Sequence, residues 1–171
     1  MTKKEILDAI HGKMIISCQA VEGEPLYVEE KSIMYLMARA AKQAGTPAIR
    51  TSSIRDVVAI KEETGLPVIG LVKIQYPGYE AYITPTMKEV DDLVAAGSDV
   101  VALDCTLRKR GDGTTINEFI AQIKEKYPDI ILMADISNYE EGINAWKCGV
   151  DIVGTTMSGY TAYTSKKDEP D

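Results

Sequence analysis

The chain has 171 residues, of which 45% are apolar and 26% charged, a composition that suits one globular domain. Its net charge of −7 argues against a nucleic-acid partner held through phosphate contacts, because such partners need a basic face. A small anionic substrate is not excluded, since it needs only a local cluster of donors. The sequence shows no signal peptide and no membrane-spanning stretch, which predicts a cytoplasmic protein with no membrane partner.

Strands and helices are predicted to alternate along the whole chain. Short runs of Val, Ile and Leu follow glycines that end helices, and such runs are typical of parallel strands covered on both faces. The alternation predicts right-handed crossovers and a parallel α/β sheet. The predicted strands are about 14–19, 47–50, 67–73, 99–104, 130–134 and 151–155, and the predicted helices are roughly 26–44, 52–64, 86–96, 115–127 and 138–148.

The third predicted helix has an N-terminal signal, because Thr86 is followed three residues later by Glu89, the spacing of a capping box. Parallel sheets of this kind occur mainly as closed eight-unit barrels or as open doubly wound sheets. No Gly-x-Gly-x-x-Gly follows the first strand, which disfavours the dinucleotide-binding form of the open sheet. A barrel needs eight units, and six are predicted here.

Polar side chains stand at the carboxyl ends of the predicted strands, whose bodies are apolar. In (β/α)₈ barrels the active site lies at this end of the strands. We therefore expect Gln19, Arg50, Lys73, Asp104 and Asp135 to converge on one rim.

Some of these residues also have a structural explanation. Lys73 could be a lysine whose amine reaches water. Asp104 could accept backbone N–H groups in a loop or neutralise Arg50, and for a lone aspartate this explanation is favoured. The three basic residues at 108–110 are more often a solvated loop than a substrate clamp.

No cofactor or metal site is predicted. His11 has no partner at a metal-binding spacing, and Cys18, Cys105 and Cys148 are far apart in apolar surroundings. An odd number of scattered cysteines indicates reduced thiols, and those at 18 and 105 are expected to be small core residues.

Five segments together resemble the bacterial N-acetylmannosamine-6-phosphate 2-epimerases. They are "SCQA" (17–20), "IGLVKIQYPGYEAYITPT" (69–86), "VVALDCTLRKRGDG" (100–113), "LMADISNYEEG" (132–142) and "DIVGTTMSGYT" (151–161). The resemblance implies a (β/α)₈ TIM barrel, of which residues 1–171 would form one partial domain with the first six units. It also implies interconversion of N-acetylmannosamine 6-phosphate and N-acetylglucosamine 6-phosphate in sialic acid catabolism.

The resemblance also assigns roles to residues. The family's catalytic lysine maps onto Lys73, its substrate contacts match Gln19, Arg50 and Asp135, and Asp104 is a further candidate. Members of the family continue into two more units, which carry a second acid/base carboxylate and the turns that hold the phosphate. We therefore expect this chain to be marginally stable, or completed by another copy or a partner, and weakly active unless those parts come from elsewhere.

The implied chemistry removes a proton next to a carbonyl and returns it on the other face. Such a base works best with a pKa near the working pH, and burial at the tip of an apolar strand is expected to lower the pKa of Lys73 towards that range. Two alternatives stay open. One is an aldolase or lyase that forms a Schiff base on the same lysine, and the other is an inactive fragment that survives as an interaction module.

Overall fold

The chain alternates strands and helices, as the sequence predicts. The structure is a computed structural model and describes residues 1–164. Its helices are α1 (Lys3–Ile10), α2 (Met34–Gln43), α3 (Ile54–Thr64), α4 (Met87–Ala95), α5 (Ile116–Lys126) and α6 (Tyr139–Lys147). Its strands are β1 (Ile16–Ser17), β2 (Ile49–Ser52), β3 (Val68–Leu71), β4 (Val100–Asp104), β5 (Ile131–Asp135) and β6 (Ile152–Gly154).

The strands follow one another in the sheet in their sequence order, from β1 to β6. The pairs β1–β2, β2–β3, β3–β4 and β5–β6 are all parallel. Parallel neighbours need a crossover connection, which the helices between the strands supply. Every residue of β3 and β4 is buried, which explains why these strands read as continuous apolar runs. The predicted parallel α/β sheet is confirmed.

Residue contacts divide the chain into two compact units. Unit 1 comprises residues 1–73 and 91–101, and unit 2 comprises residues 74–90 and the described residues from 102 onward. Of the predicted site residues, Gln19, Arg50 and Lys73 belong to unit 1, and Asp104 and Asp135 belong to unit 2. The single domain expected from the sequence stays a prediction.

Helix α1 was not among the predicted elements, although its start carries a signal. Thr2 is the N-cap, and its hydroxyl accepts a hydrogen bond from the Glu5 backbone N–H at 3.3 Å. The Glu5 carboxylate in turn accepts from the Thr2 N–H at 2.8 Å. This is a complete capping box, and the Thr-Lys-Lys-Glu spacing would have revealed it.

Helix α2 begins at Met34, eight residues later than predicted. The segment before it forms turns, in which the Glu24 carboxylate accepts from the Val21 N–H at 2.8 Å. Further along, Arg55 holds the carbonyl oxygens of Val28 and Glu29 at 3.0 and 2.8 Å. A side chain distant in sequence thus helps to fix this segment, which is why its local pattern was misleading.

Candidate functional site

The register of unit 1 places Arg50 on the sheet face that points away from the helices. A Cβ added to Gly70 would lie 3.0 Å from a side-chain carbon of Val57 on α3, so Gly70 faces the helices. Arg50 is paired with Ile69, the neighbour of Gly70, and successive strand residues point to opposite faces. Ser17 is paired with Arg50 across β1 and β2 and therefore shares its face.

Gln19 is brought beside Arg50 through Ser17. The Gln19 amide nitrogen donates to the Ser17 hydroxyl at 2.6 Å, and both Gln19 and Arg50 are half-buried. Arg50 is the second residue of β2, which runs on to Ser52. The prediction that β2 ends at Arg50 is therefore wrong, although its pairing places it next to the end of β1.

Lys73 lies two residues beyond the end of β3, and its side chain is exposed. The predictions that β3 ends on this lysine and that the amine sits in a dry pocket are both wrong for the described chain. The strand stops at Leu71, and the long lysine side chain reaches water, as the structural explanation of this residue expected.

A cavity of about 340 Å³ in unit 1 nevertheless includes Lys73 in its lining. Arg55 and Ser53 line the same space. Arg55 also stacks over the Tyr27 ring, with 5.6 Å between the guanidinium carbon and the ring centroid. Since Arg55 holds the carbonyls of residues 28 and 29 as well, it anchors the β1–α2 loop beside this cavity. A small ligand in this space would meet the cationic side chains of Lys73 and Arg55 together with the carboxylate of Glu22.

Ser53 connects β2 to α3 in a strained conformation. Its φ is +88°, a region that residues other than glycine rarely adopt. Its N–H donates to the Leu71 carbonyl at 2.9 Å, and its hydroxyl caps α3 by accepting from the Asp56 N–H at 3.2 Å. Strain of this kind persists only where surrounding contacts fix it, and it concentrates at functional sites.

In unit 2, Asp104 is the last residue of β4 and is completely buried. Its Oδ1 accepts from the Thr106 N–H at 3.0 Å and from the Thr106 hydroxyl at 2.6 Å. Its Oδ2 accepts from Nη2 of Arg108 at 2.7 Å. The contact with the Thr106 N–H matches the structural explanation of Asp104 as an acceptor in its own loop, whereas the cation that it faces here is Arg108 and the sequence had suggested Arg50.

The basic loop at residues 108–110 is not the solvated loop that the sequence favoured. Arg110 is completely buried, and Lys109 is exposed. Arg110 donates to the carbonyl oxygens of Pro85, Thr84 and Asp104. Its guanidinium stacks 4.0 Å from the centroid of a phenylalanine ring on α5. Burial lowers the pKa of Arg110, and the nearby charges oppose this shift.

Asp135 ends β5 and is also completely buried. Its Oδ1 accepts a hydrogen bond from the Thr156 hydroxyl at 2.6 Å, and its carbonyl oxygen accepts from the Cys105 N–H at 2.9 Å. Residues following β4 and β6 thus both contact Asp135. Cys105 is a buried core residue, as expected, and burial raises the pKa of its thiol well above the ordinary value.

Sequence reasoning missed Glu141, the most heavily engaged carboxylate of unit 2. It is completely buried in the first turn of α6. It accepts from the Ser137 N–H and hydroxyl, both at 2.7 Å, from the Leu107 N–H at 3.4 Å, and from the Tyr163 hydroxyl. One carboxylate therefore ties together the loops that follow β4, β5 and β6. The sequence carried no signal for this junction, because Leu107 and Tyr163 are distant from Glu141 along the chain.

Tyr82 lies near the same strand ends. Its hydroxyl is 3.7 Å from the Met157 sulfur. Burial raises the pKa of Tyr82, Asp104 and Asp135 raise it further, and Arg108 opposes them. The phenol is therefore within electrostatic range of the charged groups at the ends of β4 and β5.

Three further observations limit the choice of site. A cavity of about 680 Å³ beside α6 and β6 is lined mainly by apolar groups and contains none of the five predicted site residues. Among residues 1–164, no group of histidine, cysteine and carboxylate side chains has the arrangement of a metal site. None of the described helices is both long and apolar enough to cross a membrane.

Comparison with known proteins gives a consistent result. Residues 34–171 match the NanE family model, described as "Putative N-acetylmannosamine-6-phosphate epimerase". A relative from Caldanaerobacter subterraneus subsp. tengcongensis is 52% identical over 98% of this chain and 70% of its own length, and one from Enterobacter sp. is 47% identical over 98% and 71%. Both are called "Putative N-acetylmannosamine-6-phosphate 2-epimerase".

A solved structure is similar over nearly the whole chain. It is the N-acetylmannosamine-6-phosphate 2-epimerase from Clostridium perfringens, which is 46% identical with a TM-score of 0.89. The match covers 97% of this chain and 71% of that chain. The six strand–helix units thus have the TIM-barrel fold, as predicted.

Proposed function

Because the chain belongs to the NanE family, we propose that it interconverts N-acetylmannosamine 6-phosphate and N-acetylglucosamine 6-phosphate by proton transfer at C2. The observation that carries this proposal is the 52% identity over 98% of the chain to a relative of that name. At such identity the polar strand ends of the chain are the natural place for the same chemistry.

Lys73 is the proposed proton-transfer group. It lines a cavity of unit 1 near the residues that follow β2, and an amine there would reach a sugar held against the strand ends. Because Lys73 is exposed in the described chain, we expect the bound substrate to exclude water from its amine.

Gln19 and Arg50 are the proposed partners of the oxygen that gains negative charge when the C2 proton leaves. Their placement beside Ser17 on the face away from the helices supports this role. Donors already positioned where charge develops stabilise the transition state without further reorganisation. Asp135 is the proposed acceptor for a sugar hydroxyl. Because this carboxylate is completely buried and its Oδ1 is held by the Thr156 hydroxyl, the sugar would have to replace that hydroxyl.

Proton NMR of the folded protein with N-acetylmannosamine 6-phosphate tests the proposed reaction. We expect signals of N-acetylglucosamine 6-phosphate to appear until an equilibrium mixture is reached, and the same mixture from the opposite direction. A cooperatively melting protein that leaves both sugars unchanged would refute the proposal.

A Schiff-base aldolase or lyase is the alternative chemistry for an accessible lysine amine. Borohydride would then trap the substrate covalently on Lys73, and the sugar chain would be cleaved rather than epimerised. The family comparisons favour the epimerase, and mass spectrometry after borohydride treatment separates the two reactions.

The wider setting is also a proposal. We assign the reaction to sialic acid catabolism in the bacterial cytoplasm, because the curated relatives come from bacteria and carry the epimerase name. Completion by another copy of the chain remains a prediction, and the molecular mass measured by light scattering tests it.

A further inference from the structure

The end of β4 suggests a substrate contact that the sequence did not select. We propose that Arg108 binds an anionic oxygen of the phosphorylated sugar and that Asp104 acts through Arg108, as a positioning residue. This inference rests on the proposed function, since it assigns a further contact to the substrate proposed there.

Asp104 has no surface left for a direct contact. Its side chain is 0% exposed, and both oxygens are engaged, one by the backbone and hydroxyl of Thr106 and the other by Arg108. A substrate hydroxyl could reach this carboxylate only by displacing a buried ion pair. The sequence placed Asp104 among the substrate contacts, whereas its environment is that of a support.

Arg108 has the opposite character, because part of its guanidinium stays available. Its Nη2 donates to Asp104 at 2.7 Å, and its Nε donates to the Thr106 hydroxyl at 2.9 Å. Among residues 1–164, Nη1 has no acceptor, and it is not a buried atom. The side chain is 9% exposed, so one edge of an otherwise fixed guanidinium faces outward.

A guanidinium held in this way suits a negatively charged oxygen. Its planar fork of N–H donors matches the geometry of phosphate and carboxylate groups. Because Asp104 and Thr106 already fix the side chain, little rotamer freedom is lost on binding. The charge of Asp104 partly offsets that of Arg108, so donor geometry rather than net charge provides the recognition.

The surroundings place this edge among other polar groups of unit 2. Tyr82 is within electrostatic range of Asp104, Arg108 and Asp135. Arg108 also borders a second space where an anion could bind, because Arg108 and Lys109 both line a cavity of about 350 Å³ at the start of α5. An anion bound in that cavity would depend on both basic residues, and this provides a control.

A double-mutant cycle tests the inference. We expect Arg108→Gln to lower kcat/KM roughly tenfold to hundredfold, the value of one charge-assisted hydrogen bond. Asp104→Asn should lower it by a similar or smaller factor. The double variant should be no worse than Arg108→Gln alone, because Asp104 acts only through Arg108.

Lys109→Gln is the matched control, since Lys109 is the neighbouring exposed cation of the same loop. It should stay within about twofold of the unaltered chain, as expected for an exposed substitution. An equal loss of kcat/KM in Lys109→Gln and Arg108→Gln would overturn the inference. The inference would also fail if the separate losses of kcat/KM in Asp104→Asn and Arg108→Gln multiplied in the double variant.

Asp104→Asn leaves a buried cation unpaired and could prevent folding. Thr106→Val is the milder variant, because it removes the hydroxyl that contacts both Arg108 and Asp104 while keeping the side-chain shape. It should lower kcat/KM in the unaltered chain and have no further effect when Arg108→Gln is present. An equal additional loss in the Arg108→Gln background would contradict the inference.

NMR of the arginine Nε–Hε signals separates this inference from the proposed function. The Arg108 signal is assigned by its absence from the spectrum of Arg108→Lys. It should shift when N-acetylmannosamine 6-phosphate is added. Inactivity of the unaltered chain, in contrast, would count against the proposed function alone. Unphosphorylated N-acetylmannosamine is the control, since it carries no anionic oxygen. A shift that is lost without the phosphate supports the inference, and an equal shift caused by the neutral sugar would overturn it. An Arg108 signal unmoved by saturating phosphorylated sugar overturns the inference.

Discussion

The two units treat the polar residues at their strand ends differently. In unit 1, Lys73 is exposed, and Gln19 and Arg50 are half-buried. In unit 2, Asp104 and Asp135 are completely buried and accept hydrogen bonds from neighbouring hydroxyl or guanidinium groups. A short carboxylate can be buried because nearby donors compensate its lost hydration, whereas the long side chain of Lys73 reaches water.

Because of this difference, we expect substitutions in the two units to have different effects. Substitution of Lys73, the exposed site residue of unit 1, should change turnover and leave the fold unaffected. Substitution of a buried carboxylate in unit 2 should change stability, because its donors are left without an acceptor.

The largest expected effect follows Lys73→Met. Loss of the proton-transfer group should lower kcat by roughly 10²-fold to 10⁴-fold, while the melting temperature should hardly change because the side chain is exposed. Lys13→Met, which removes another exposed lysine of unit 1, is the control for general charge loss. Turnover in the Lys73 variant equal to that of the control would remove Lys73 from the mechanism.

The next effect concerns stability in unit 2. Glu141→Ala should lower the free energy of unfolding by roughly 3 kcal/mol, because several buried donors lose their acceptor at once. Glu140→Ala removes the adjacent exposed carboxylate and should cost less than about 1 kcal/mol. Urea unfolding of both variants measures the difference, and equal losses would show that the contacts of Glu141 contribute nothing specific.

Much of the architecture could be predicted because it depends on local patterns. Continuous apolar runs identified all six strands, and the Thr86–Glu89 spacing identified the start of α4, where the Glu89 carboxylate accepts from the Thr86 N–H at 2.9 Å. Strand ends were less accurate. Lys73 lies beyond β3, and Arg50 lies inside β2, because hydrogen-bonded pairing rather than apolar sequence determines where a strand stops.

The environment of the site residues could not be predicted from the sequence. Burial of Asp104 depends on Arg108 and Thr106, whose contacts need the loop conformation. The buried guanidinium of Arg110 depends on carbonyl groups of the loop before α4, about 25 residues away along the chain. Charged residues are almost never fully buried without partners, and those partners appear only in the folded chain.

A smaller effect should appear at alkaline pH. Burial raises the pKa of Cys105 above that of the unfolded thiol. Its contribution to stability is therefore complete below the unfolded pKa of about 8.5 and is lost as the pH rises above that value, by about 1.4 kcal/mol per pH unit. Cys105→Ala should flatten this part of the profile, and Cys148→Ala, at a half-buried position, is the control. A profile unchanged by Cys105→Ala would contradict this account.

The smallest effect is expected at Ser53. Ser53→Ala removes the cap and keeps the positive φ, so it should cost about 1 kcal/mol. Ser53→Gly also removes the hydroxyl but relieves the strained backbone, and it should stay within about 0.5 kcal/mol of the unaltered chain. Thermal unfolding that ranks the glycine variant below the alanine variant would show that Ser53 is not strained.

Hydrogen exchange at C2 tests the central role of Lys73 most directly. The chain and its Lys73→Met variant are incubated with N-acetylmannosamine 6-phosphate in deuterated water, and the C2 proton signal is followed by NMR. We expect the unaltered chain to replace the C2 proton with deuterium as the sugar epimerises, and the variant to leave this proton in place. Exchange at the same rate in both proteins would contradict this expectation.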